Sequence, residues 1–197
     1  MIAAAELQGG DRINESALAL KLGMSRGPIR EACRTMEQTG VLRSALNRGF
    51  FVREISLREA LDIYDVRSKL SGMAGRLAAA NASSAQLAEL ESIVIRMDAA
   101  LEAGDIGAYY PLNVEFHTLL IACADNHKLN QLWPTLESEL HLFRRRGLVL
   151  PGSMRASNHE HRMIVAALKA GDGDTAERLV AEHILAGKAR LLRSITD

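Results

Sequence analysis

The chain has 197 residues, 48% of them hydrophobic and 24% charged, and its 24 basic side chains balance 24 acidic ones. That length holds one or two small domains, and that composition excludes a disordered chain. A net charge of zero excludes a uniformly basic surface, so attraction to nucleic acid has to come from a local patch.

The start of the chain, Met1 to Gly10, has neither the basic head nor the apolar core of a signal peptide. No later run is long and apolar enough to span a membrane. Cys33 and Cys123 each sit in an apolar helical context and read as reduced core residues. A cytoplasmic protein without membrane contact is expected. Ile2 to Leu7 leave room for only a very short, or truncated, first helix before the turn at Gly9-Gly10-Asp11.

Glu15 to Leu22 is the next helix, with Asn14 as its cap and Gly23 as its stop. Ser25 then reads as the N-cap of another helix, with Pro28 in its first turn and Gly40 at its end. Ile29, Ala32, Cys33 and Met36 share an apolar face at helical spacing, and Arg26, Arg30 and Arg34 form a separate stripe. Two short helices joined at Gly23-Met24-Ser25 predict a helix-turn-helix. Val41-Leu42-Arg43 and Phe50-Phe51-Val52 are β-prone, and Asn47-Arg48-Gly49 is a turn between them, so a winged form is predicted. Residues 21–48 carry six cations against two carboxylates, a local excess of four. An arginine stripe is by itself usually a solvated face; its place on the second helix, which enters the major groove in this motif, is what points to DNA.

After a short linker at Arg53 to Ser56 the composition turns almost purely helical. Ser56-Leu57-Arg58-Glu59 reads as a capping box opening a helix to about Ala80, and Ser83-Ser84-Ala85-Gln86 as another opening a helix to about Ala103. Further helices are expected over 106–124, over 129–146 with a break or kink at Pro134, over 155–170, and from a cap at Asp174 to about Ser194. Gly147 to Gly152 reads as a loop. The expected fold is mainly α: a winged helix-turn-helix in residues 1–55, then an antiparallel all-helical bundle in 56–197.

Asn113 and His117 are one helical turn apart. His161 and His183 lie at matching distances on either side of the turn near Asp172-Gly173, each about 16 Å from that end at the helical rise. Level histidines on paired helices can face one cavity, and a third from another helix completes a set for a divalent transition metal. Spacing alone does not prove convergence, and lone helical histidines are more often polar residues satisfied by neighbours. His127, His141 and His159 read that way.

The segment from Gly10 to Val52, with Ser25-Arg26-Gly27-Pro28-Ile29-Arg30-Glu31-Ala32 and Asn47-Arg48-Gly49, resembles the DNA-binding domain of the GntR family of bacterial transcription regulators. The resemblance implies that Ser25, Arg26, Gly27 and Arg30 contact DNA and that Arg48 and Gly49 form the wing tip. Gly27 departs from the threonine often found there. Residues 57–195 resemble the ligand-binding FCD domain of the FadR subfamily, through Asp65-Val66-Arg67, Asn113-x-x-Phe116-His117, Asn126, Glu160-His161-x-x-Ile164 and the segment Ala181 to His183. The resemblance implies a metal held by His117, His161 and His183, with Asn113 where an aspartate is usual. Zinc is the first choice, and nickel, manganese and iron are compatible. Arg67 is an effector anchor that can grip a carboxylate with two bonds, or else a surface ion-pair partner.

The function expected is a regulator, a repressor by the commoner pattern, binding a palindromic double-stranded operator as a homodimer. A small organic acid bound in the metal-containing bundle controls its affinity. Two alternatives stand beside it: a helical-bundle metalloenzyme, and a DNA-binding regulator whose histidine cavity is purely structural. The enzyme is disfavoured because Glu-x-x-His pairs, a phosphate loop and a Gly-x-Ser-x-Gly turn are all missing at the candidate residues.

Overall fold

Asn14 accepts from the backbone N–H of Ala17 at 3.0 Å and so starts α1, Glu15–Leu22; Gly23, at φ +64°, ends it in the left-handed region where glycine carries no Cβ penalty. This computed structural model describes residue 7, residues 9–38 and residues 40–196. The helix expected over Ile2 to Leu7 lies outside them except for Leu7, which packs on the core of the small domain.

The second helix, α2, spans Arg26–Gln38 and begins directly after Ser25. Strands β1, Leu42–Ala45, and β2, Gly49–Val52, pair antiparallel with Leu42 opposite Val52 and Ala45 opposite Gly49. Asn47 and Gly49 take positive φ in the connection, a conformation asparagine and glycine tolerate. Arg12 adds an isolated bridge to Phe51, a feature with no strand signal in the sequence. Ile13, Ala19, Ile29, Cys33, Leu42, Phe50 and Val52 form this domain's core. Ala32 and Met36, expected on the buried face of α2, are exposed. The buried strip of α2 is a single row, Ile29 and Cys33 one turn apart, as a core this small covers only part of a helix's surface.

The remaining helices are α3 (Leu57–Asn81), α4 (Ser84–Glu102), α5 (Ile106–Cys123), α6 (His127–Val149), α7 (Ser153–Lys169) and α8 (Gly173–Thr196). The fold is mainly α, a winged helix-turn-helix followed by an antiparallel bundle. By contacts the chain separates into one unit of Met1–Ala60 with Pro134–Leu142, and another of Leu61–Trp133 with Phe143–Asp197. The bundle core is built on Leu90, Ile93, Met97, Phe116, Leu120, Ile164 and Val180.

Several local readings change. The Ser83–Gln86 capping box forms in full, but at Ser56 only half of the expected box does. Ser56 accepts from the Glu59 N–H at 3.1 Å, while the Glu59 carboxylate accepts from Arg53 instead. Helix α6 runs unbroken through Pro134, and Asn130, whose carbonyl loses its partner to the missing N–H, is an exposed residue. It also continues through Gly147, where a Cβ would lie 3.1 Å from the backbone N of Leu191, so glycine is there for close helix packing and not for a loop. Asp172, not Asp174, caps α8 by accepting from the Thr175 N–H at 3.0 Å; Asp174 pairs with Arg76.

A tighter crossing of the same kind joins α3 and α8. A Cβ at Gly75 would stand 2.9 Å from both the Ala176 carbonyl oxygen and Val180 Cγ2. Gly75→Ala is expected to lower stability by about 1–3 kcal/mol through overpacking. Urea unfolding of the variant checks this, and an unchanged midpoint would show that the helices separate at no cost.

Candidate functional site

The sequence places its candidate DNA contacts on two elements of the small domain. Ile29 and Cys33 anchor one side of α2, which leaves Arg26 and Arg30 exposed on another. Ser25 and Gly27 are exposed beside them. A Cβ at Gly27 would meet nothing within 4 Å, so there is no steric reason for a glycine there. Arg34, the third arginine of the stripe, is tied to Glu31 at 2.7 Å. On the wing, Arg48 is exposed, and its guanidinium lies 5.6 Å from the centre of the Phe51 ring; Arg43 lies 5.1 Å from the same ring. Gly49 takes φ +84° at the start of β2.

The second constellation lies inside the bundle. Asn113 and His117 come from α5, His161 from α7 and His183 from α8, and all four are buried. One potential ligand nitrogen from each histidine lies within 4.8 Å of those of the other two. His117 Nε2 and His183 Nε2 are 3.1 Å apart, and Asn113 Nδ2 is 3.4 Å from His161 Nε2. A half-turn of the Asn113 amide exchanges its nitrogen for its oxygen at that place. The His161 ring packs on Phe116 at 4.4 Å between centroids. Three imidazoles with interchangeable nitrogen donors and an adjacent amide suit a borderline-soft divalent ion, so the donor set fits a transition metal.

Arg67, on α3, is not on the surface, so the surface ion-pair reading does not hold. It is 1% exposed, and its guanidinium stacks 4.3 Å over the ring of Trp133. It lines a cavity of about 30 Å³ together with Tyr64, Asn113, His117, His183 and Arg190. The free space is that of one or two waters.

Residues 62–186 match the FCD domain, and residues 1–52 match the bacterial regulatory proteins of the gntR family. The chain belongs to the FadR subfamily of GntR transcription regulators. It is 32% identical to a probable D-xylose utilization operon transcriptional repressor of Paenarthrobacter nicotinovorans, over 94% of this chain and 81% of that one. It is 31% identical to the Nta operon transcriptional regulator of Aminobacter aminovorans, over 89% and 81% respectively. The solved structure of E. coli McbR/YncC is similar at TM-score 0.86 and 26% identity, covering 98% of this chain and 92% of that one. This GntR-family chain is therefore a DNA-binding transcription regulator. Among its described residues no helix is long and apolar enough to cross a membrane.

Around the histidines stand residues to which the sequence reading gave no role. Glu160, half-buried on α7, places Oε2 2.6 Å from His183 Nδ1 and accepts two bonds from Arg190, at 2.9 and 3.0 Å. Burial would raise the Glu160 carboxyl, but the His183 and Arg190 hydrogen bonds outweigh it and bring it down to about 2. Arg190 follows His183 by two helical turns, a spacing that could have flagged it as sharing that face. Tyr109, one turn before Asn113, donates to the Met154 carbonyl at 3.2 Å, and burial pushes its hydroxyl up to about 12. His127 and His159 are exposed. The side chain of His141 lies outside the described residues.

Proposed function

We propose that this regulator is a repressor that binds a palindromic operator as a homodimer, and that a small organic acid in the bundle cavity changes its operator affinity. Ser25, Arg26, Gly27 and Arg30 read the major groove, while Arg48 and Gly49 bring the wing to the backbone or minor groove. The exposure of Arg26, Arg30 and Arg48 on one small domain supports this part. The repressor sign follows the Paenarthrobacter relative, itself named a probable repressor.

The observation that carries the effector reading is the convergence of Asn113, His117, His161 and His183 beside a buried arginine. His117, His161 and His183 hold a divalent metal, zinc first, with the Asn113 amide oxygen as a neutral fourth donor. When bound, the metal supplies coordination positions for a carboxylate or hydroxyl oxygen. Arg67, already stacked on Trp133 and so orientationally restrained, grips the same anion.

A set of three imidazoles and an amide gives the metal no formal negative charge. An organic anion therefore strengthens metal binding, and by linkage the metal strengthens anion binding to the same degree. The test is a thermal-shift screen of small carboxylic acids, each with and without zinc. At a hundredfold excess over Kd, a ligand of the folded state adds about 2.7 kcal/mol, a shift of several degrees for a chain of this size. A shift from one acid that needs zinc supports the reading. A zinc-independent shift replaces it with a plain polar pocket. No shift from any acid, with or without zinc, sinks the effector reading and leaves a structural cavity.

A further inference from the structure

The His183 ring is held from both sides. Its Nε2 faces His117 Nε2 at 3.1 Å, and its Nδ1 lies 2.6 Å from Glu160 Oε2. An ionised carboxylate only accepts hydrogen bonds, so the hydrogen of the neutral ring sits on Nδ1 and the Nε2 lone pair points into the cluster. Glu160 is fixed in turn. Arg190, 5% exposed and on the same helix as His183, holds both carboxylate oxygens with two guanidinium nitrogens. Glu160 itself is the neighbour of His161 in the chain, yet its side chain reaches from α7 to the ring on α8. One residue pair thus ties together the two helices that carry two of the three histidines.

We propose that Glu160, clamped by Arg190, is a positioning residue that presets His183 as an Nε2 ligand and thereby sets the affinity of the bundle for a divalent metal. This rests on the metal reading of the site. The physical basis is general: a carboxylate on the far nitrogen of a ligating histidine fixes its tautomer and ring plane and makes the near nitrogen a better donor. Without Glu160 the ring can turn about its side-chain bonds or carry its hydrogen on Nε2, and either change removes a ligand. The bidentate clamp prevents the carboxylate itself from turning away. The competing account is that Glu160 and Arg190 are only an ion-pair staple between α7 and α8. That account predicts a change in stability and none in metal affinity or tautomer.

The experiment uses the full-length protein and zinc alone as probe. Zinc affinity is measured by competition with a chromophoric chelator, and the His183 tautomer by nitrogen–proton correlation spectra of the metal-free protein. In the wild type we expect His183 with its hydrogen on Nδ1. Glu160→Gln, which keeps the shape and removes the charge, is expected to weaken zinc binding 10–100-fold. Because that variant leaves a buried Arg190 without its counter-charge, a second variant combines Glu160→Gln with Arg190→Met. Replacing both charges of a buried pair is often neutral for stability, so a folded protein is expected. The double variant should lose zinc affinity to the same extent and show a mixed His183 tautomer. Zinc affinity within twofold of wild type in both variants, with the tautomer unchanged, overturns the proposal. If the wild type takes up no zinc, the metal reading fails and the claim about affinity falls with it; the tautomer spectra of the metal-free protein still decide whether Glu160 sets the ring.

Discussion

Replacing His161 and His183 together by alanine is expected to abolish stoichiometric retention of a divalent metal. The wild-type protein, loaded with zinc and dialysed, is expected to keep it. The reason is the distribution of ligands over helices: His117 and Asn113 come from α5 alone, and the other two histidines come from α7 and α8. Removing the latter pair leaves one imidazole and one amide, too few to hold zinc against hydration. Elemental analysis after dialysis reads the result, and far-UV circular dichroism checks that the helices remain. His161→Gln with His183→Gln fills more of the vacated volume and serves if the alanine variant unfolds. Metal retained at wild-type stoichiometry in a folded double variant would falsify the assignment and place the site elsewhere in the chain.

Arg30→Ala is expected to weaken operator binding roughly 5- to 150-fold, the range for loss of a good side-chain contact to a base edge of about 1–3 kcal/mol. Arg30 is exposed on α2, one turn after Arg26, while Ile29 beside it is buried, so the truncation removes a projecting side chain without opening the core. Fluorescence anisotropy with operator DNA at one fixed salt concentration gives the comparison, and the melting temperature should stay within a degree or so of wild type. The same variant on unrelated DNA should lose less, because phosphate contacts are shared by all sequences. Equal affinity for the operator before and after the change would remove Arg30 from the interface. Arg34, held by Glu31 at 2.7 Å, is the natural control from the same stripe.

On the proposed function, the two experiments read opposite ends of one regulatory cycle. An effector alters operator affinity only if it binds the DNA-competent and DNA-free arrangements with different strength. The metal-retention variant therefore has a second use. In the presence of the organic acid it should repress like the effector-free wild type if the metal anchors the effector.

The sequence alone determined the order and type of the elements. Caps at Asn14 and Ser83, glycine at position 23 and the β-prone runs around Asn47 act through nearest neighbours, and local chemistry of that kind is written in consecutive residues. It also determined that His161 and His183 stand level, since a helical hairpin converts residue counts into heights. It could not determine which way those histidines turn, because orientation depends on the packing of α5, α7 and α8 against one another. Tertiary structure decided that. It also decided that Arg67 is buried over Trp133, that Pro134 is absorbed within α6, and that Gly147 packs rather than turns. The meeting of Glu160 with Arg190 and His183 was invisible for the same reason. Glu160 and Arg190 are 30 residues apart, and nothing in either neighbourhood states that one guanidinium and one imidazole will meet on the same carboxylate. Local rules set where side chains leave the backbone, but long-range packing sets what they meet.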